Sequence, residues 1–143
     1  MANTIHVDIV SAEHEIYTGE AEMVFAPAEL GEVGISPGHA PLVTKMGPGE
    51  VRVKDTEGNE TAFYVSGGML EIQPKVVTVL SDTAQRAEDL DEAAILKAKE
   101  EAENAFHDKS DAIDYAKARA QLAETAAQLQ TLQRMRKRSG RSS

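Results

Sequence analysis

The segment from residue 31 to residue 42, Gly-Glu-Val-Gly-Ile-Ser-Pro-Gly-His-Ala-Pro-Leu, contains the residue types best suited to chemistry in this chain. Its glycines and prolines predict that the backbone turns at least twice, so Glu32 and His39 should be presented rather than buried. A glutamate and a histidine on such a turn could act as acid and base or as metal ligands. The segment is therefore a candidate site for a small molecule or for another protein.

A catalytic function finds little support in the rest of the sequence. The other histidines (His6, His14 and His107) are scattered without a metal-ligand spacing, and the chain has no cysteine. Ser66 lacks the Gly-x-Ser-x-Gly surroundings of a hydrolase nucleophile, and no phosphate-binding loop is present. We therefore expect no catalytic residues, no cofactor and no metal. A metal-dependent β-barrel enzyme is the least supported of the functions considered.

Composition and charge limit the classes of partner. A formal net charge of −9 over 143 residues argues against nucleic acid, because binding phosphates needs Lys and Arg. No apolar stretch approaches the roughly 20 residues of a membrane span, and the N-terminal residues do not resemble a signal peptide. We therefore expect a soluble chain.

The charge is also distributed unevenly along the chain. An acidic stretch runs from Glu88 to Asp114, and cations then cluster at Arg134, Arg136, Lys137, Arg138 and Arg141. This gradient predicts that the two ends face different electrostatic environments. A basic terminus without any partner is the alternative.

Residues 4–81 have the pattern of β-strands. Val51 and Val53 alternate with Arg52 and Lys54, a period of two that is typical of a half-buried strand. Turn signals follow at Thr56–Asn59, at the two glycines 67 and 68, and at residues 73–75, with strands predicted between them. Short strands at this spacing indicate an all-β sandwich or a flattened barrel.

The pattern changes to helices near residue 85. One predicted stripe consists of Leu90, Ala94, Ala98, Ala102 and Phe106, and a second of Tyr115, Ala118, Leu122, Leu129 and Leu132. Asp89 and Glu92 have the spacing of a capping box for the first helix, and residues 107–110 separate it from the second. The two helices should form an antiparallel hairpin, whose largely alanine stripes bury little surface and could let it detach while it stays helical. Ordinary static packing of the hairpin is the alternative.

Three motifs together resemble one known family. They are the segment 31–42, then Ser66-Gly-Gly-Met-Leu-Glu-Ile-Gln73, then Val79-Leu-Ser-Asp-Thr-Ala84, and a helical hairpin follows them. Their order and spacing resemble the epsilon subunit of bacterial F-type ATP synthase over nearly the whole chain. The resemblance implies an α+β fold: a rotor-docking β-sandwich of ten strands in residues 1–85 and a regulatory helical hairpin with a basic tail in residues 86–143.

The same resemblance implies a non-catalytic place in the central rotor stalk. The partners would be the gamma subunit, the c-ring and the alpha/beta catalytic head, with the complex holding the chain peripherally at the cytoplasmic face of the bacterial inner membrane. Glu32 and His39 would contact the c-ring or gamma, although His39 could instead only close a turn. When the hairpin extends, Arg134, Arg136, Lys137 and Arg138 would contact an acidic segment of the head and inhibit ATP hydrolysis.

The sequence departs from the family at one position that matters for regulation. Some members bind ATP through an Ile/Leu-Asp-x-x-Arg-Ala motif at the start of the first helix. Here the corresponding stretch is Leu90-Asp-Glu-Ala-Ala-Ile95, so Ala94 replaces the arginine and a phosphate-binding guanidinium is lost. We therefore expect weak or absent ATP binding. An ATP-sensing module, in which bound nucleotide sets the state of the hairpin, is the alternative function.

Overall fold

The computed structural model describes the backbone of residues 3–108 and 112–141, and the side chains of residues 3–105 and 116–138. Ten strands precede two helices, which confirms the predicted α+β fold. The strands are β1 Ile5–Ser11, β2 Glu15–Ala21, β3 Met23–Ala28, β4 Gly31–Ile35, β5 Leu42–Met46, β6 Gly49–Lys54, β7 Glu60–Val65, β8 Gly68–Ile72, β9 Val76–Ser81 and β10 Ala84–Arg86. A 3-10 turn, Ala87–Asp89, leads to the helices α1 Glu92–Asp108 and α2 Ala112–Arg141.

The strands form one continuous sheet that folds over into a sandwich. Their order is β10-β7-β6-β3-β5-β8-β9-β1-β2, and β4 pairs with β3 beside this path. Neighbouring strands are antiparallel except β1 and β9, which run parallel. The hairpin between β6 and β7 has the turn predicted at Thr56–Asn59, where the Asp55 carboxylate accepts hydrogen bonds from two backbone N–H groups.

The core is aliphatic, as expected for a chain without tryptophan. Alternate residues of β1 point inward, so that Ile5, Val7 and Ile9 are completely buried while the residues between them are half-exposed. The buried cluster consists of Ile5, Val7, Ile9, Ala21, Val24, Ala26, Ile35, Met46, Val51, Val53, Phe63, Val65, Leu70, Ile72, Val77 and Val79. Phe63 is the one aromatic side chain in this cluster, and it packs near Tyr17 with 5.3 Å between ring centroids.

The first helix begins differently from the prediction. Asp91 caps it, because its Oδ1 atom accepts hydrogen bonds from the backbone N–H groups of Ala93 and Ala94 at 3.0 and 3.3 Å. The predicted capping box of Asp89 and Glu92 is wrong, since the 3-10 turn ends at Asp89 and Leu90 is extended. The helix therefore starts after the position that the spacing indicated.

The predicted helical stripes are only partly correct. On α1 the buried side chains are Ile95 and Ala102, whereas Ala94 is exposed. On α2 Ala118 and Leu132 are buried as expected, together with two threonines, Thr125 and Thr131. Their hydroxyls donate to backbone carbonyls one turn earlier, which makes their burial tolerable. Phe106 and Tyr115 lie outside the described side chains.

Candidate interaction site

The glycine-rich segment forms two turns, as predicted. The first is the tip of the β3–β4 hairpin, where Gly31 has a φ of +128° that favours glycine. Leu30, beside it, is fully exposed. The second turn follows β4 and is closed by a hydrogen bond from the His39 backbone N–H to the Ser36 carbonyl at 3.1 Å.

Glu32 is the second residue of strand β4, opposite Pro27 of β3, and His39 lies in the second turn. The Glu32 side chain is exposed and accepts a hydrogen bond from the Arg52 guanidinium at 3.0 Å. The His39 ring is half-buried, and its Nδ1 atom donates to the Ala40 carbonyl at 2.7 Å. This geometry fits the interpretation that His39 closes a turn. Partner contact by both residues stays a prediction.

The outer face of β6 is covered by the second helix. Val51 and Val53 point into the core, so Glu50 and Arg52 point outward, and Glu50 stands opposite Tyr64 of β7. Because α2 packs on this face, only 1% of the Glu50 side chain is exposed. Burial, and in second place the carboxylate of Glu124 on α2, raise the pKa of Tyr64.

The buried carboxylate of Glu50 is neutralised mainly from α2. Arg138 donates to its two oxygens at 2.9 and 3.4 Å, and Arg134 approaches Oε1 within 3.9 Å. Arg138 also lies 3.7 Å from the Glu60 carboxylate on β7. A buried charge is tolerated only when it is paired, so these arginines compensate the burial of Glu50.

Arg52 connects this cluster to the glycine-rich hairpin. Its guanidinium lies over the Phe25 ring, with 4.2 Å between the carbon Cζ and the ring centroid. Besides Glu32 it approaches Glu50 and Glu60, each at 3.5 Å. We name the set of Glu32, Glu50, Arg52, Glu60, Arg134 and Arg138 the charge cluster.

The two remaining predicted site residues lie outside the charge cluster. Arg136 pairs with the carboxylate of Glu92 at the start of α1, which joins the end of one helix to the beginning of the other. The Arg136 guanidinium lowers the pKa of Glu92 through this hydrogen bond. Lys137 points to solvent and forms no ion pair with any residue whose side chain is described.

Two sites that the sequence analysis treated separately prove to be neighbours. Glu32, Glu50 and Arg134 line one cavity of about 200 Å³ between the β3–β4 hairpin, the start of β6 and α2. Glu32, a predicted contact to the rotor, therefore lies close to Arg134, a predicted inhibitory contact, while α2 is packed on the sandwich. His39 does not line this cavity.

Sequence reasoning did not identify Glu50, Arg52 and Glu60. Alternating charges on an amphipathic strand usually mark a solvated face, and only the packing of α2 turns Glu50 into a buried acid. The available signal was weak: a basic stripe on a helix needs acidic partners, and the outer faces of β6 and β7 offer them.

Comparison with known proteins agrees with this architecture. Residues 4–87 match the family described as ATP synthase, Delta/Epsilon chain, beta-sandwich domain. Residues 88–133 match ATP synthase, Delta/Epsilon chain, long alpha-helix domain. The chain belongs to the ATP synthase delta/epsilon family. The resemblance drawn from the three sequence motifs is thereby confirmed.

Individual members of the delta/epsilon family are similar over nearly their full length. A protein of Nitrosococcus oceani described as ATP synthase epsilon chain is 62% identical over 140 residues, which cover 98% of this chain and 100% of that one. The ATP synthase epsilon chain of Alkalilimnicola ehrlichii is 58% identical, with 97% of this chain and 99% of that one covered.

Solved structures share the fold of this delta/epsilon family chain. A chain in the cryo-EM structure of the Euglena gracilis mitochondrial ATP synthase (OSCP/F1/c-ring) superimposes with a TM-score of 0.83 at 21% identity. The match covers 91% of this chain and 82% of that chain. None of the helices in the described part of the chain is long and apolar enough to cross a membrane.

Proposed function

We propose that this chain is a non-catalytic subunit of the central stalk of a proton-translocating F-type ATP synthase. The sandwich, residues 1–85, docks on the gamma subunit and the c-ring and couples their rotation. The helical hairpin, residues 86–143, restrains ATP hydrolysis when it leaves the sandwich and contacts the alpha/beta head. The complex holds the chain peripherally at the cytoplasmic face of the bacterial inner membrane.

Uncovered apolar surface on the sandwich supports the docking role. Val43, Met69 and Leu80 are exposed on the outer face of the neighbouring strands β5, β8 and β9, and Met69 is paired directly with Leu80. Leu30 is exposed at the tip of the β3–β4 hairpin, close to Glu32. Adjacent exposed apolar side chains are typical of a protein-binding surface.

The observation that carries the regulatory role is the way the basic end of α2 is attached. Arg134, Arg136 and Arg138 are held by carboxylates of the sandwich and of α1. An acidic surface elsewhere can compete for the same guanidinium groups, because an ion pair can be exchanged for a chemically equivalent one. A hairpin attached in this way can change partners without losing its helices.

Truncation of the basic end tests this function. An assembled complex in which the chain ends before Arg134 should hydrolyse ATP faster than the complete complex. The matched control removes only residues 139–143 and leaves all four predicted contacts in place. Equal hydrolysis rates for the complete chain and the chain truncated at Arg134 would contradict an inhibitory tail.

Substitutions in the glycine-rich hairpin test the docking role. Glu32→Gln and His39→Gln should clearly reduce co-purification with gamma and the c-ring. The same substitutions should change the melting temperature of the isolated chain only slightly. Unchanged co-purification together with a lowered melting temperature for His39→Gln would favour the interpretation that His39 only closes a turn.

A second candidate function is nucleotide sensing. A cavity of about 600 Å³ between β7, the 3-10 turn and α2 is lined by two guanidinium groups, Arg86 and Arg138, and by the carboxylates of Glu60 and Glu88. Ala94, at the motif position of the family's arginine, is exposed on α1 and offers no phosphate ligand. Titration with ATP up to millimolar concentration separates the two functions: amide signals of α1 should stay unchanged for the rotor function and shift for a nucleotide sensor.

A further inference from the structure

Two arginines on different elements approach the same two carboxylates. Arg138 of α2 and Arg52 of β6 both lie near Oε1 of Glu50, at 3.4 and 3.5 Å. They also share Oε1 of Glu60, at 3.7 and 3.5 Å. Like-charged guanidinium groups around one carboxylate repel each other, so their pairing with it is competitive.

The ion pair with Glu32 keeps Arg52 from forming a closer ion pair with Glu50. Its shortest contact is to the Glu32 carboxylate at 3.0 Å, whereas its Nε–H is buried and makes no hydrogen bond to any described residue. That unsatisfied donor lies 3.5 Å from Oε1 of Glu50. A small movement of Arg52 toward Glu50 would satisfy it, and leaving it unpaired costs free energy.

The charge cluster balances only while Glu32 takes part. It contains the three carboxylates Glu32, Glu50 and Glu60, which face the three guanidinium groups Arg52, Arg134 and Arg138. Withdrawal of Glu32 leaves one guanidinium in excess. Arg52 is the least exposed of the three at 21% and stacks on Phe25, whereas Arg134 and Arg138 are 48% and 34% exposed. The excess charge is therefore relieved by release of the helical arginines into water.

We propose that Arg52 is a switch through which a partner bound at Glu32 releases the basic end of α2. When a cationic or hydrogen-bonding group of the partner engages the Glu32 carboxylate, Arg52 turns to Glu50 and Glu60 and displaces Arg138 and Arg134. The proposal rests on the docking and regulatory roles proposed above. It specifies how the two roles are coupled: docking of the sandwich weakens the packing of the helical hairpin on it.

Distance measurements on the isolated, complete chain test the switch. Because the chain has no cysteine, Thr56→Cys on the β6–β7 turn and Gln133→Cys on α2 accept a donor–acceptor dye pair specifically. Glu32→Gln imitates withdrawal of the carboxylate and should raise the population with a separated α2 about two- to five-fold, the range of a half-exposed ion pair. The matched control is Glu29→Gln, an exposed glutamate on the same hairpin outside the charge cluster, which should leave the population unchanged.

The sign of a second substitution separates a switch from a static support. Arg52→Gln leaves three carboxylates facing Arg134 and Arg138, so α2 should stay packed, and Arg52→Gln should also cancel the effect of Glu32→Gln in the double variant. If Arg52 only supported α2, Arg52→Gln would separate the helix. That result, or equal populations for Glu32→Gln and Glu29→Gln, would overturn the switch. The comparison of the two glutamates does not depend on whether Arg52→Gln folds.

This test is independent of the inhibition experiment. A larger separated population for Glu32→Gln in the isolated chain supports the switch, even if truncation at Arg134 leaves ATP hydrolysis unchanged. Faster hydrolysis after truncation, without any change of that population, supports the inhibitory tail and overturns the switch.

Discussion

His6 lies on the outer face of β1 between two carboxylates. Its ring contacts Glu20 at 2.7 Å through Nδ1 and Asp8 at 3.1 Å through Nε2. The hydrogen bond to Glu20 is the main cause that raises the pKa of His6 above its ordinary value of 6.5. The same bond lowers the pKa of Glu20 below 4.5. These shifts link protonation of the pair to folding.

We therefore predict a pH window for the stabilisation that His6 provides. A raised histidine pKa contributes stability below about pH 6.5 that is lost as the pH rises through the folded-state value. A lowered glutamate pKa contributes stability above about pH 4.5 that is lost as the pH falls through its own folded-state value. The difference in unfolding free energy between the wild type and His6→Gln should thus be largest between about pH 4.5 and about pH 6.5 and should be lost as the pH rises through the raised pKa of His6, as measured by urea denaturation. His14→Gln, at an exposed turn, serves as control; an equal difference at all pH values would contradict the pairing.

Gly68 is a residue at which a side chain cannot be accommodated. Its φ is +144°, and an added Cβ would lie 2.0 Å from the Leu80 carbonyl oxygen on β9. Gly68→Ala should therefore lower stability by about 2–4 kcal/mol through strain and displaced backbone, visible as a fall of Tm by about 10 °C. Gly47→Ala is the matched control, because its Cβ meets nothing within 4 Å. Similar melting temperatures for both variants would contradict this account.

The sequence showed which residues are presented by turns but not which ones are buried by a helix. The turns beside Glu32 and at His39 could be predicted because glycine and proline determine turns locally. The burial of Glu50 could not be predicted, since it depends on the end of α2, where Arg138 follows Glu50 by 88 residues. Ion pairs across such a distance depend on packing, which a local pattern does not contain.

Among the elements, the strands were more predictable than the helix boundaries. Alternation of apolar and polar residues lasts through a strand such as β6, and its inner positions are those of the core. Helix α1 starts later than predicted because Asp89, the predicted capping residue, belongs to the 3-10 turn Ala87–Asp89. The alanine stripe of α1 was wrong at Ala94, because alanine carries too little apolar surface to decide which face is buried.

At this scale we predict that the packing of α2 depends on Arg138. Arg138→Gln removes the strongest ion pair to Glu50 and should weaken the docking of α2 by about 1 kcal/mol, which corresponds to about five-fold faster amide exchange at the end of the helix. The measurement is hydrogen exchange on the isolated chain. Lys137→Gln is the control, because Lys137 is an adjacent exposed cation outside the charge cluster. Equal exchange in the two variants would show that the ion pair does not hold the helix.

For the whole molecule, the arginines of α2 have partners in the packed state and, as we propose, different partners in the extended state. An interaction shifts an equilibrium between two states only by the difference between its free energies in them. Contacts that Arg138 makes in both states therefore largely cancel. A cation that is solvated in the packed state and paired in the extended state contributes its full interaction energy to the shift.

Of the four residues proposed to contact the head, Lys137 is the one that makes no ion pair with a described side chain in the packed state. We therefore predict the reverse of the ranking expected for hydrogen exchange. In the assembled complex Lys137→Gln should relieve inhibition and raise ATP hydrolysis about two- to five-fold, because it removes a contact of the extended state alone. Arg138→Gln weakens both states and should change hydrolysis by less than about two-fold. Steady-state hydrolysis by complexes reconstituted with each variant measures the ranking. A larger effect of Arg138→Gln would mean that Arg138 gains more from the catalytic head than it loses on leaving Glu50. The carboxylates of the packed state and the acidic surface of the head would then bind the same guanidinium groups with unequal free energies.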